Sequence, residues 1–363
     1  METKKIAILG AAGFVGMELI TQLEREPLVD IYAITRDNGD FLLGDRKVQI
    51  LKESTIDKSV NFDVVVNLAY PTTNIQHSFP KANRAILATL KKIVQPKTKL
   101  IHISTQAVFG FGMDKKIELD LLSDRRDYAY IEAKLEMENL INRTFPANDI
   151  AIVRLGNVWG AGSGSWTGAL IDRLLFGQVV AVEGVDGYSN ITDVKNAAAY
   201  IIFLLKSAFV KGLKFHHLAE FSHIKWSRLI DTMARQLNVR PVLSDIIPAY
   251  PTSIKSDILT KISFPKVGNI YRKLVWGRKT GSYLRSLVRF LGTNKFSTIK
   301  KTETKVLPKT SQLSDADSIY LTIVSTDVEF KNQIFPDFVP LVNFEESWEN
   351  IKNWMIFAGF TNE

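Results

Sequence analysis

Tyr130 and Lys134 stand four residues apart in the polar stretch from Tyr128 to Ile141, so on a helix both side chains leave the same face. A phenol beside an ammonium can move a proton. The unperturbed phenol titrates near ~10, and a neighbouring cation favours its phenolate, which brings acid–base work within reach of neutral pH. Tyr128 has Glu132 at its own i+4 position, so only Tyr130 has the cation. Near the start of the chain, Gly10, Gly13 and Gly16 suit a different task. A glycine-marked turn between strand and helix lets the backbone approach a pyrophosphate, with the helix N-terminus facing the phosphate charge. A dinucleotide held there, with a proton-transfer pair beside it, would make an enzyme.

The elements around these residues are legible from apolar spacing. Lys5 to Leu9 is a compact β run, and Phe14, Met17, Leu19, Ile20 and Leu23 fall at helical intervals, giving strand, turn and helix in order. In this Gly-x-x-Gly-x-x-Gly spacing, Gly10 is expected to permit the tight turn, Gly13 the backbone approach, and Gly16 the packing of helix on sheet. Phe14 and Val15 complete this part of the candidate cofactor site. Val64 to Leu68 and Leu100 to Ser104 are apolar enough for central strands, and Ile150 to Leu155 and Leu213 to Leu218 add later ones. Asn83 to Val94 and Tyr128 to Ile141 read as amphipathic helices. Such alternation implies an α/β fold with a parallel sheet covered on both faces.

With these residues in view, the chain resembles the extended branch of the short-chain dehydrogenase/reductase superfamily, the NAD-dependent epimerase/dehydratase family. The likeness runs from about residue 4 to 240, with an echo at the C-terminus. Phe62 to Ala69 resembles the fourth strand, ending beside the cofactor's adenosine half at Leu68 and Ala69. Asn83 sits where that family has an asparagine early in the next helix. Leu100 to Gly110 resembles the fifth strand with its catalytic hydroxyl, expected at Thr105, with Ser104 as its neighbour on the opposite strand face. Arg154 to Gly160 resembles the segment bordering nicotinamide and substrate, which nominates Asn157 and Val158. Asn190 to Val194 resembles a later segment that carries an aspartate before its helix. The resemblance implies a Rossmann-type doubly wound parallel sheet over residues 1–160, rejoined by about 185–220. It also implies a smaller, mainly substrate-binding lobe over 161–363.

It further implies a catalytic set of Thr105, Tyr130 and Lys134. Tyr130 would remove a hydroxyl proton as hydride leaves the same carbon, Thr105 would orient the oxygen, and Lys134 would hold the nicotinamide ribose. The family's 4,6-dehydratases follow the threonine with an Asp-Glu pair; here Gln106 and Ala107 stand there, and neither takes a proton from carbon. That points away from dehydration and towards epimerisation, ketoreduction or alcohol oxidation. Gln106, Asn157, Asn190 and Trp166 are the candidate substrate contacts, Trp166 because it closes the flexible Gly160 to Ser165 run. Cofactor choice turns on the end of the second strand, where Thr35, Arg36 and Asp37 follow one another. Arg36 suits a 2′-phosphate and Asp37 a ribose diol, and the expectation leans to NADP over NAD.

Composition narrows the class. The chain has 363 residues, 46% hydrophobic and 23% charged, which suits a large globular enzyme. With no cysteine, disulfides and thiolate chemistry are excluded, and His77, His102, His216, His217 and His223 show no metal-ligand spacing. His216 and His217, adjacent in a β run, should face opposite ways. The first strand begins almost at once, leaving no room for a signal peptide, and the longest apolar stretch, Ala197 to Leu205, is too short to span a bilayer. A cytoplasmic protein is expected, with peripheral contact to a membrane as the alternative.

The basicity is local. Residues 252–301 carry twelve Lys or Arg against one Asp, a net +11, so the rest of the +8 chain stands at −3. Leu284, Leu287, Val288 and Leu291 form an apolar stripe flanked by Arg285 and Arg289, which suits an anionic membrane surface, a lid or a substrate diphosphate, and less well nucleic acid. The resemblance implies a nucleotide-linked sugar as substrate, in polysaccharide or glycolipid assembly. The alternatives are a dehydrogenase of a lipid-linked or steroid-like alcohol and a non-catalytic NADP-binding scaffold or redox sensor. By analogy with relatives that pair through helices, a homodimer is also expected.

Overall fold

A computed structural model describes residues 3–36, 40–44, 46–56, 60–70, 79–110, 129–206, 211–245 and 315–361. The basic stretch 252–301 lies outside the described residues, as does Asp37. The first half of the chain builds strands β1 (Lys4–Leu9), β2 (Val29–Thr35), β3 (Gln49–Lys52), β4 (Val64–Asn67), β5 (Lys99–Thr105) and β6 (Ile150–Leu155). Between them lie helices α1 (Phe14–Leu23), α2 (Asp40–Leu43), α3 (Phe79–Ile93) and α4 (Ala129–Thr144). After β7 (Asn157–Trp159), α5 (Thr167–Leu175), β8 (Val179–Val182) and β9 (Ile191–Asp193), helix α6 (Val194–Lys206) and strand β10 (Leu213–Leu218) rejoin the sheet. Helix α7 (Trp226–Leu237), strand β11 (Val242–Ser244) and helices α8 (Asp315–Val324) and α9 (Phe344–Phe357) follow.

The seven-stranded sheet has the order β10-β6-β5-β4-β1-β2-β3, and every pairing in it is parallel. This is the doubly wound Rossmann arrangement, with the order reversing between β1 and β4. The inner strands are apolar on both faces because both are covered. Ile6, Ile8, Ile101 and Val153 pack towards α1 and α6, and Ala7, Val65, Leu100 and Ile152 pack towards α3 and α4. Adjacent His216 and His217 do face opposite ways, His216 bonding the Tyr200 hydroxyl of α6 at 2.9 Å and His217 meeting the Phe109 ring.

A second core forms from α5, α7, α8, α9 and β8, around Leu170, Ile171, Trp226, Met233, Leu321 and Met355. It is tied to the first by a buried polar chain: Trp159 Nε1 donates to Ser347 Oγ at 2.9 Å, and the Ser347 hydroxyl donates in turn to Asp193 at the start of α6. Asn343 starts α9 with a reciprocal capping box to Glu346, which fixes where Ser347 falls. Among the described residues, no helix is long and apolar enough to cross a membrane.

Candidate active site

The C-terminal ends of β1, β4 and β5 converge where the sheet order reverses, and the sequence places the glycine turn at the first of them. Gly10 has φ +87°, and a Cβ there would lie 2.8 Å from the Ala69 nitrogen and the Leu68 carbonyl carbon. Only glycine allows β1 and β4 to end so close together. A Cβ at Gly16 would strike the Ala11 and Gly10 carbonyl oxygens at 2.5 and 2.6 Å, so this glycine makes room for the turn itself rather than for helix against sheet. Gly13 caps α1 without any side-chain bond to its first turn, leaving amide groups there for an anion. Phe14 and Val15 open α1, and Val15 and Val158 pack at the edge of the main core. Gly10, Gly13 and Gly16 thus shape one tight turn, with Leu68 against Gly10 and Ala69 beside it. Arg36 lies exposed just beyond β2.

Thr105 ends β5, with Ser104 pointing the other way as strand alternation requires. Thr105 Oγ1 accepts the Ala107 amide at 3.1 Å, opening the 3₁₀ turn Gln106–Phe109, and is hydrogen-bonded to the Tyr130 hydroxyl. One turn along α4, Lys134 Nζ donates to the Ile103 carbonyl at 3.3 Å and lies 4.9 Å from the Tyr70 ring centre. The Tyr70 and Tyr130 rings meet edge to face at 5.2 Å. The structure therefore brings Thr105, Tyr130 and Lys134 together, and adds Tyr70, which no spacing in the sequence marked.

Burial sets the protonation of this group. It pushes the Tyr130 phenol up, with the Thr105 hydrogen bond pulling it partly back, so the lysine does not by itself bring the phenol towards neutrality. Burial also brings Lys134 down to about 8, opposed by the Glu138 carboxylate one turn further on. Beneath them, buried His102 is held neutral, lowered to about 3 by burial and then by Lys134, with its Nδ1 bonded to Asn67 at 3.1 Å.

Motif reading marked Ser104 only as the neighbour of Thr105 and did not mark Glu138 at all. Arg154 grips Glu138 through two bonds of 3.1 and 2.7 Å, and Ser104 donates to the same carboxylate. The guanidinium is flanked by the Phe109 and Phe215 rings at 5.1 and 4.5 Å. A stripe of Tyr130, Lys134 and Glu138 at four-residue spacing was the available signal.

The remaining candidates divide. A cleft is lined by Thr105, Gln106 and Asn157, and by Ile323 and Thr326 at and just beyond the end of α8. Asn157 sends its amide to the Ser189 carbonyl at 2.8 Å. Asn190 also lines the cleft, but its amide is taken at both ends by Val328 and Phe330, each at 2.8 Å, so it anchors the chain after α8. Asn83 is only 1% exposed and donates to the Ala133 carbonyl and the Glu136 carboxylate at 2.8 and 2.7 Å. It fastens α3 to α4. Trp166 is half-buried, its ring 5.5 Å from Trp226 and packed against the apolar cluster of Ile131, Ile319 and Ile323.

The family model described as NAD dependent epimerase/dehydratase matches residues 6–212, and the chain belongs to that family. No curated protein matches it in sequence. Among solved structures it is similar to UDP-glucuronic acid 4-epimerase from Bacillus cereus in complex with UDP-glucuronic acid and NAD. That match has 19% identity and TM-score 0.51, covering 78% of this chain and 99% of the other. It is also similar to UDP-glucose 4-epimerase from Bifidobacterium longum in complex with NAD+ and UDP, at 15% identity and TM-score 0.53, over 73% and 95% of the two chains. A third neighbour is the Bordetella bronchiseptica enzyme WbmH in complex with NAD+, at 18% identity and TM-score 0.52, over 69% and 84%. At these identities the likeness establishes the shared fold.

Proposed function

We propose that the protein is an NAD-dependent epimerase, or a closely allied hydride-transfer enzyme, acting on a nucleotide-linked sugar. The observation that carries this reading is the Tyr130 hydroxyl bonded to Thr105, with Lys134 one helical turn away, at the strand end beside the Gly10 turn. Tyr130 takes the proton of the substrate hydroxyl and later returns it. Thr105, already in contact with that phenol, fixes the oxygen between them. Lys134 supplies positive charge in a site that excludes water, and Tyr70 shields it from one side. When bound, an oxidised nicotinamide would supply the hydride acceptor for the substrate carbon, and its positive charge would favour the Tyr130 phenolate until hydride transfer neutralises the ring. The Gly10 cradle and the first turn of α1 would hold its pyrophosphate.

Solved neighbours are named with NAD, so the reading takes NAD in preference to the NADP that Arg36 alone suggested. Two of those neighbours are UDP-sugar 4-epimerases, which supports UDP-hexoses as first substrates. Gln106 and Ala107 supply no carboxylate for elimination, so the reading excludes 4,6-dehydration. The test is to incubate the protein with NAD+ and either UDP-glucose or UDP-glucuronic acid and follow sugar stereochemistry by NMR. Formation of the 4-epimer is expected. Formation of a 4-keto-6-deoxy product, or no turnover of either sugar, would overturn the reading.

A further inference from the structure

One polar side chain lines the cleft while buried almost completely. Gln106 follows Thr105 directly, is 1% exposed, and neither its amide oxygen nor its amide nitrogen has a hydrogen-bond partner among the described residues. Leaving such a group unpaired is destabilising, and folded proteins rarely tolerate it. The local backbone does not require the glutamine. Ala107 N–H is taken by Thr105 Oγ1 at 3.1 Å, and Gly110 N–H closes the turn on the Ala107 carbonyl at 2.9 Å. The space it lines is mixed, with apolar Ala107, Leu155, Ile323 and Phe330 beside polar Asn157, Tyr188, Asn190 and Thr326, yet none of these polar groups pairs with the amide. A methionine would fill the site without the penalty. The amide is therefore suited to something that enters the cleft.

We propose that Gln106 is a specificity-determining residue that reads a vicinal diol of the substrate, donating to one ring hydroxyl and accepting from the next. The inference rests on the nucleotide-sugar reading and deepens it. A sugar carbon presented to Thr105 and Tyr130 places its neighbouring carbons towards the residue beside Thr105, and both residues line one cleft. A carboxamide has a donor and an acceptor side by side, which matches two adjacent hydroxyls; a carboxylate at this position would only accept. The carboxamide also takes no proton from carbon, so it orients the sugar without promoting elimination. Sites built to bond hydroxyls reject analogues that lack them far more strongly than apolar pockets reject a missing methylene.

The test uses full-length protein saturated with NAD+, as wild type, Gln106→Met and Gln106→Glu. Binding is measured for UDP-glucose and for analogues lacking one sugar hydroxyl at a time, alongside thermal unfolding without sugar. The wild type is expected to bind at least one deoxy analogue about 10–100-fold more weakly than UDP-glucose. Gln106→Met should bind UDP-glucose more weakly by a similar factor and lose that discrimination, while unfolding at the same temperature or higher. Gln106→Glu, which keeps only acceptors, should fall between them. Unchanged discrimination in Gln106→Met, or a clear drop in its unfolding temperature, would overturn the proposal, the latter by showing that the amide serves the fold. If wild type binds no UDP-sugar, the nucleotide-sugar reading fails, and the unfolding comparison still judges the unpaired amide.

Discussion

Ser104 and Thr105 are adjacent, yet they open onto two differently built sides of the β5 end. On the Ser104 side lie two buried hydrogen-bonded sets, Ser104 with Glu138 and Arg154, and Asn67 with His102, in which His102 Nε2 alone lacks a partner among the described residues. On the Thr105 side, Gln106 is unpaired at both ends and the Tyr130 hydroxyl meets only Thr105 among the described side chains. The first side spends its polarity on itself. The second leaves donors and acceptors facing a cleft, which is what a site for a polar substrate requires.

The sharpest way to break this contrast is at Tyr130. Tyr130→Phe keeps the ring against Tyr70 and removes only the hydroxyl, so turnover should fall by about 10²–10⁴ while NAD affinity, measured by fluorescence titration, stays within a few-fold. A near-normal rate would mean that the cleft side is no more reactive than the packed side. Lys134 sets a companion limit. With its ammonium brought down to about 8 by burial, activity that needs the charged form should decline as pH rises through that value.

Next in size is Glu138→Gln, which leaves the Arg154 guanidinium buried without its counter-charge. Breaking such a pair from one side costs about 3–5 kcal/mol, read as a lowered urea midpoint. It also removes the carboxylate that opposes the lowering of Lys134, so the alkaline limb of the rate profile should move to lower pH. An unchanged midpoint would show that this side is not structural. The neighbouring pair then separates the two roles at the smallest chemical change. Thr105→Val should cut kcat by about 10-fold or more, whereas Ser104→Ala should cost about 1 kcal/mol of stability and leave kcat near wild type.

The sequence exposed whatever depends on period and backbone. The runs Ile6 to Leu9, Val64 to Val66 and Ile150 to Leu155 read as strands because both sheet faces are covered, and the Gly10 turn stood out because only glycine fits there. Tyr130 and Lys134 were visible because one helix carries both. What stayed hidden joins residues through space. Asn83 reaches α4 across 50 positions, Arg154 meets Glu138 from a different element, and Tyr70 meets Lys134 only once β4 and α4 are docked. Glycine spacing likewise could not say that Gly16 clears the turn carbonyls, because that needs the path of the turn itself.

The mildest test of the same contrast lies at Glu220, a buried carboxylate in the junction between the two cores. Its Oε1 accepts from the Asp193 amide and the Asn196 side chain at 2.7 and 2.9 Å, while its Oε2 has no partner among the described residues. Burial, with nearby Asp193 adding repulsion, raises it to about 7 from an ordinary value of 4.5. Between those two values the folded protein holds a proton that the unfolded chain has lost, so stability falls as pH rises through the window and is level above it. Glu220→Gln preserves the accepting oxygen and removes the titration. Its urea midpoint should therefore decline less across that range than the wild-type midpoint, since Asp172, Asp193 and Glu18, also raised by burial, still titrate in both proteins. Parallel curves for the two proteins would show that this carboxylate titrates like an exposed one, and that the junction belongs with the open side of the molecule rather than with the self-satisfied one.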